Sequence, residues 1–488
     1  MTTTTSTNSA IIPADPSERP TPALTTAGLY TALSALLMSV LSFSATSVAL
    51  HDIGRSLDAS AGGQSLVMSA YSVGFAMLMV IGGRLGDLHG RRRLFLIGMA
   101  GFTVTSLAAT ISPTVGFLIG ARAAMGFSAA MMVPQVLATI TAATWGKARA
   151  KAVGLFGATA GGGTALGQVL GGVLLSGNVF GLGWRAVFAL GVPVGLAALL
   201  AAVRWMPETL APGHRHLDLV GTALLGLALL ALLVPLAEGS AWGWPWWCWA
   251  MIGASVVITA VFWRTQKVLH RKGTIPLVPP PLLQLRTFRL GLVMAVILMA
   301  GYGAFTFEYT LLTQTGLGWS PLHAALVTVP FALVFLVVSI VAGNLVPRFG
   351  SRRILTIGAA VQGCSLAAIA AVAFAEGGSL DSLSLGGAMV LMGIGQAMML
   401  GPLVGVVLAE VPAATAGAGS GVFTTTQQAS LALGVAGLGA VFGAVAGGPA
   451  TAPDPSRFAT AFGVCLLIQA VAAVAFVLAA ARLPRLAR

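Results

Sequence analysis

Fourteen mostly apolar stretches of about 20 residues recur along this chain, near 27–50, 64–83, 93–112, 114–140, 152–176, 183–203, 218–237, 246–263, 289–313, 321–345, 353–375, 384–408, 417–446 and 457–481. A helix of that length spans the roughly 30 Å hydrocarbon layer of a bilayer. Inside that layer a helix also satisfies its own backbone hydrogen bonds, which an open strand cannot do. With 57% hydrophobic and only 8% charged residues, the chain lacks the polar surface that a water-borne fold of 488 residues needs. The expected class is an all-α integral membrane protein with the lipid bilayer as its surroundings. The net charge of +13 invites a nucleic-acid partner. The basic residues fall in short clusters between apolar runs, however, so no nucleic acid is expected. Cys248, Cys364 and Cys465 are far apart in apolar sequence and form neither a metal-binding spacing nor a disulfide framework.

Basic residues orient the spans. With the N-terminus inside, the clusters at Arg91–Arg93, Lys147–Lys151, Arg264–Lys272, Arg286–Arg289, Arg348–Arg353 and Arg482–Arg488 all fall inside, leaving Arg55, Arg185 and Arg457 outside. Both termini are therefore expected in the cytoplasm. Trp242, Trp244, Trp246 and Trp247 gather at the outer mouth of the seventh and eighth spans, where indoles favour the headgroup layer. The Thr-, Ser- and Pro-rich start reads as a disordered tail over 1–26, with no signal-peptide pattern. A six-span bundle over 27–205 follows, then two inserted spans within 206–264. A cytoplasmic linker over 265–288 contains Pro276, Pro279, Pro280 and Pro281, which no helix interior tolerates. A second bundle over 289–482 and a basic tail over 483–488 complete the chain.

The halves repeat. Gly83, Leu85, Gly90, Arg92 and Arg93 recur 260 residues later as Gly343, Leu345, Gly350, Arg352 and Arg353. At the same offset Gly157, Gly161, Gln168 and Gly177 pair with Gly417, Gly421, Gln428 and Gly437. Parallel repeats of this kind are the plan of a rocking transporter.

Polar groups within such a chain need reasons. The stretch Gly83–Arg93 reads as a short loop in which two glycines allow a tight reversal. Asp87 sits in it among arginines, and Pro347 takes its place in the repeat. Asp87 is either a latch on a neighbouring helix end or a solvated acid neutralised by Arg84 or Arg91. Arg122, inside the fourth span, needs an interior acidic, carbonyl or water partner unless it snorkels to an interface. Gly163, Gly167 and Gly171 lie one turn apart and form a groove for another helix. Glu308 is the one acid well inside an apolar span, and its setting suits a group that alternates between protonated and charged, or a ligand for a cationic substrate. Ser420, Thr424, Gln427 and Gln428 form a polar stripe that, with Gln314, either lines a substrate path or satisfies itself between helices.

The stretch containing Gly83, Leu85, Asp87, Gly90 and Arg91 resembles the Gly-x-Leu-x-Asp-x-x-Gly-Arg signature of the major facilitator superfamily. Arg122-Ala123-Ala124-Met125-Gly126 resembles its Arg-x-x-Gln-Gly signature, with Met125 in place of Gln. Gly163 to Gly172 resembles the antiporter signature Gly-x-x-x-Gly-Pro-x-x-Gly-Gly, with Gln168 in place of Pro and Gly171 and Gly172 as the final pair. Trp184-Arg185-Ala186-Val187-Phe188, Leu217 to Gly221 and Gly318 to Leu322 are similar to runs of the fourteen-helix drug:proton antiporters. The resemblance implies the major facilitator fold. It also implies a cytoplasmic latch at Gly83, Asp87, Gly90 and Arg91, and a proton-handling role for Arg122.

One departure bears on coupling. Ser42 stands where that family carries a first-span acid, which leaves proton coupling to Glu308. The expected protein is a plasma-membrane transporter that exports small amphipathic molecules by proton antiport and acts as a monomer. A proton gradient would power it, with no cofactor and no metal. No phosphate-binding loop or hydrolase signature is present in the sequence, so neither an ATP-driven pump nor an enzyme is expected. The competing readings are a proton-independent facilitator or importer of a neutral solute, and a non-transporting membrane sensor.

Overall fold

The computed structural model describes residues 24–59, 61–178, 181–209, 218–239, 243–274, 276–412, 415–447 and 454–484. The tail over 1–23, Trp242, Arg215 and the final 485–488 lie outside them. Every regular element among the described residues is helical. The first set is α1 (Thr26–Ser56), α2 (Ala61–His89), α3 (Arg91–Thr110), α4 (Val115–Ala143) and α5 (Gly146–Ser176). The short α6 (Arg185–Ala189) and α7 (Gly191–Trp205) together form one apolar crossing, Arg185–Trp205. Next come α8 (Leu219–Glu238) and α9 (Trp246–Arg271). The last set is α10 (Arg286–Thr310), α11 (Pro321–Val327), α12 (Val329–Phe349), α13 (Ser351–Glu376), α14 (Ser382–Leu408), α15 (Ala416–Ala446) and α16 (Pro455–Ala481). A π-helical turn, Leu311–Gly316, prolongs α10. Thirteen described segments are long and apolar enough to cross a membrane, and Val220–Leu236 within α8 is a shorter apolar helix.

Helix starts coincide with the few residues able to cap them. Thr25, Thr114, Asp218, Asp381 and Asp454 each accept a hydrogen bond from a backbone N–H in the first turn of the helix that follows. With water excluded over most of the helix surface, these ends are where orphan amides still need partners.

Two expectations are corrected. Gly83–Arg93 is not a loop: α2 continues through Gly83, Gly86 and Asp87 to His89, and α3 begins at Arg91. The reversal is made at Gly90 alone, at φ 97°, and its repeat counterpart Gly350 does the same at φ 80°. Glycine is required at both, because a Cβ is strained in that region of backbone space. The linker is also shorter than 265–288. Residues 265–271 belong to α9, α10 begins at Arg286, and Pro280–Gln284 forms a 3-10 turn. The prolines exclude an α-helix only where they stand.

Packing separates two bundles. In the first, α1 packs on α5, α2 and α3 on α4, and α3 on α7. In the second, α10 packs on α15, α12 and α13 on α14, and α13 on α16. The bundles meet along two seams, α2 with α15 and α5 with α12. Since the repeat carries α2 onto α12 and α5 onto α15, each seam is the other with the bundles exchanged. The α8–α9 pair breaks this symmetry, because α8 packs on both α2 and α15 and so lies against one seam only.

The segment that joins the halves is anchored at that same seam. Leu277 and Val278 are buried with Phe262 of α9 and Val80 of α2, and Val422 of α15 packs against them. Gln266 holds the segment in place: its Nε2 donates to Asp218 Oδ2 at 2.6 Å, and its Oε1 accepts from the Val278 N–H at 3.0 Å.

Replacing Gly90 or Gly350 with Ala should each lower stability by about 1–3 kcal/mol through backbone strain. Gly120→Ala, at a helical site where an added Cβ meets nothing within 4 Å, should not. Thermal unfolding of the purified variants in detergent measures the difference.

Candidate functional site

The densest polar contact between the bundles is built on Asp87, in the last turn of α2. Its side chain is nearly inaccessible. Oδ1 accepts from Arg91 Nη2 at 2.9 Å, and Oδ2 accepts from the backbone N–H of Ala418 at 3.1 Å. Ala418 lies in the first turn of α15, whose flanking Thr415 makes no side-chain cap. A carboxylate on one bundle thus caps a helix of the other. A favourable helix-end charge contributes about 0.3–1 kcal/mol when exposed and up to about 2 kcal/mol when partly buried. Arg84 is buried beside it, and its Nη2 has no partner among the described residues.

The close approach of α2 and α4 fixes this turn. Gln135 of α4 donates to the carbonyl of Gly82 at 2.8 Å, and a Cβ at Gly86 would meet the Gln135 amide. Gly83 is helical and buried in the same stretch. On the other side the end of α7 and the chain just beyond it meet the start of α3: Arg92 donates to the Val203 carbonyl in α7, and the Arg91 N–H reaches Thr209 O at 3.4 Å. The repeat shares the glycine turn but lacks the acid, since α12 carries Pro347 there.

Arg122 is fully buried, not snorkelling. Its Nε donates to Val67 O at 3.1 Å and its Nη1 to Ser42 Oγ at 3.3 Å. The guanidinium lies 4.4 Å from the centre of the Tyr71 ring, and Tyr71 is itself hydrogen-bonded to Ser39 at 2.6 Å. Its partners are a carbonyl, a hydroxyl and a π face. Glu308 is also fully buried, on α10 of the other bundle. Its Oε2 accepts from Gln469 Nε2 at 3.0 Å, and Oε1 has no partner among the described residues. The structure does not bring Arg122 and Glu308 together.

The glycine face of α5 meets α1. A Cβ at Gly163 would meet Leu37 and Val40, one at Gly167 would lie 2.7 Å from the Leu41 carbonyl, and one at Gly171 would lie 3.1 Å from Ala45 Cα. Gly172 is buried beside them. This face packs inside its own bundle. A different set, Gly154 and Gly157, faces Gly343 of α12 and Gly401 of α14 in the second bundle. Gln168 also crosses between bundles, its Oε1 accepting from Thr328 Oγ1 at 3.3 Å.

The polar stripe of α15 stays apart from Gln314. Thr424 is buried and donates to the Ser420 carbonyl, and Gln427 and Gln428 are half-buried. Gln314 is exposed in the π turn at the far end of α10. The opposite end of α10 is the one near α15's start, where Thr287 donates to Glu410 at 2.5 Å. Gln469, Tyr71, Thr328 and Gln135 were not singled out by sequence reasoning. Polar side chains within apolar runs were the available signal for all four.

Residues 32–220 and 210–435 match the sequence model described as Major Facilitator Superfamily. The chain is 33% identical over 426 residues to the probable actinorhodin transporter of Streptomyces coelicolor, covering 87% of this chain and 74% of that protein. It is 34% identical over 473 residues to the cephamycin export protein CmcT of Amycolatopsis lactamdurans, covering 95% and 93% respectively. Among solved structures, the human organic anion transporter MFSD10 (TETRAN) superposes with a TM-score of 0.66 at 16% identity, covering 95% of this chain and 100% of that one.

Gly167→Ala should force α1 and α5 apart and destabilise the protein by about 1–3 kcal/mol. The same exchange at Gly116, where a Cβ meets nothing within 4 Å, should be near neutral. Denaturation of both variants in the same detergent reads the contrast.

Proposed function

The chain belongs to the major facilitator superfamily, and on that premise we propose that it exports small amphipathic compounds, antibiotics among them, in exchange for protons. It is a multi-pass membrane transporter and not an enzyme. The observation that carries the mechanism is the cap that Asp87 supplies to α15 across the bundle seam. A contact of this strength suits a two-state switch, since it biases one arrangement without locking it. In alternating access the bundles rock, the Ala418 N–H loses its cap, and Asp87 keeps Arg91. Gly83, Gly90 and Arg91 complete this latch.

Export as the direction is supported by the names of the relatives, one a transporter of actinorhodin and one an export protein for cephamycin. Their bacterial sources favour the cytoplasmic membrane. Helix α8, 20 residues long, reaches about 30 Å and is counted here as a fourteenth span. An even number of spans puts both termini on one side, and the arginine clusters make that side cytoplasmic. The bundles then correspond to 27–205 and 289–482, with the insert in 206–264. Both seams are internal to one chain, which favours a monomer.

Glu308 is assigned the coupling proton, with Gln469 steadying its charged form. Arg122 holds a positive charge under Tyr71 in the other bundle. Thr424, Gln427, Gln428 and Gln314 are assigned to successive parts of the substrate path. One observation favours proton-independent facilitation instead: Ser42, in place of the first-span acid, serves as an acceptor for Arg122.

Inverted vesicles given a lipophilic cationic dye from outside, with a small antibiotic panel in parallel, test the reading. Uptake by the unaltered protein should collapse with an uncoupler. Glu308→Gln should abolish uphill transport, and Asp87→Asn should slow it several-fold. Transport that survives both the uncoupler and Glu308→Gln would establish facilitated diffusion and remove Glu308 from coupling.

A further inference from the structure

Helix α9 is the least enclosed of the thirteen described crossing segments, with only 17% of its apolar window buried inside the protein. Cys248, Ser255, Phe262 and Gln266 are its buried residues, and at helical spacing they fall on one face. At 3.6 residues per turn the opposite face carries Val257, Val261, Arg264, Val268 and Arg271. The three valines are 63%, 44% and 47% exposed, and both arginines are exposed. Lys267 flanks this stripe, also exposed, with its ammonium 5.6 Å from the centre of the Trp263 ring. A face turned to lipid along most of its length thus becomes cationic at one end.

That end lies at the edge of the bilayer. Trp246 and Trp249, 79% and 60% exposed, mark the opposite boundary. Counted from Trp246 at about 1.5 Å per residue, Arg264 comes about 27 Å along the helix and Arg271 about 38 Å. The hydrocarbon is roughly 30 Å thick and a headgroup layer follows, so the two arginines bracket that layer. No carboxylate is within ion-pair distance of Arg264, Lys267 or Arg271 among the described residues. Asp218, at the start of the adjoining α8, is held on the buried side by Gln266 and the Gly221 N–H. Side chains three apart on a helix are neighbours, so Arg264 and Lys267 can share one phosphate, the guanidinium as a bidentate donor.

From this geometry we infer that the stripe is a binding site for an anionic phospholipid, whose phosphate meets Arg264 and Lys267 while its acyl chains lie along Val257 and Val261. A soluble anion would gain nothing from the apolar half of the stripe. A zwitterionic lipid brings its own cation to a place that already holds three. Gln266, on the far side of the same turn, bonds Asp218 and Val278, so the lipid steadies the turn that anchors the segment between the bundles.

The test uses the full chain in neutral detergent, with native mass spectrometry to count bound dioleoyl phosphatidylglycerol or dioleoyl phosphatidylcholine. Phosphatidylglycerol should bind saturably and about ten-fold more tightly than phosphatidylcholine. Replacing Arg264, Lys267 and Arg271 together with Gln should remove that preference. Arg348→Gln with Arg352→Gln and Arg353→Gln, an equal loss of exposed charge on α12 and α13, should leave it unchanged. Arg264→Gln alone should weaken phosphatidylglycerol binding several-fold, and it carries the test if the first triple variant does not fold. Equal binding of the two lipids, or an equal loss in both triple variants, would overturn the assignment and leave charge attraction alone. Displacement of phosphatidylglycerol by inorganic phosphate would also overturn it, in favour of a site for soluble anions. Binding in detergent needs no transport, so its failure would leave the efflux reading standing.

Discussion

Everything in this structure answers to the absence of water around most of its backbone. Each amide within the hydrocarbon layer must find its partner in the same helix, so the chain is helical wherever it is apolar. The same constraint concentrates unsatisfied polarity at helix ends, and the protein places scarce acids there. Asp218, Asp381 and Asp454 cap their own helices, whereas Asp87 caps a helix of the other bundle. That single change of partner turns a local device into a contact between halves.

The repeat makes the two halves alike in turn geometry and unlike in chemistry. Gly90 and Gly350 make the same left-handed reversal, yet the carboxylate before the first becomes Pro347 before the second. The seams are related by the repeat, but polar latching belongs to one of them at this end of the molecule. At the other seam Gly154 and Gly157 let backbones approach, and Gln168 meets Thr328. Small residues allow movement there, where an ion pair would resist it.

The helical plan was legible because a bilayer imposes a minimum length and one periodicity, and each apolar run falls on a helix, although α1, α2 and α9 outlast their runs and α5 starts before its own. The connection at Gly83–Arg93 was not, since glycine marks both a turn and a close approach. Gly90 serves the first purpose and Gly86 the second. Of the polar residues that sequence reasoning singled out, Arg122 and Glu308 are buried whereas Gln314 is exposed, and the partners of the buried two could not be read. Gln469 lies 161 residues from Glu308, and α1 is brought to the glycine face of α5 only by the tertiary fold. Pairing across helices leaves no periodic trace in one sequence.

The segment between the halves has a further consequence. It does not hang free, for Leu277 and Val278 sit against Val80 and Val422, beside the Asp87 contact, with Gln266 holding them to the inserted helices. Parting α2 from α15 would bare this apolar cluster as well as uncap α15. The tether between the bundles therefore works as a gasket: solvent itself resists opening at this end, and the inserted pair sets how firmly the seal is seated.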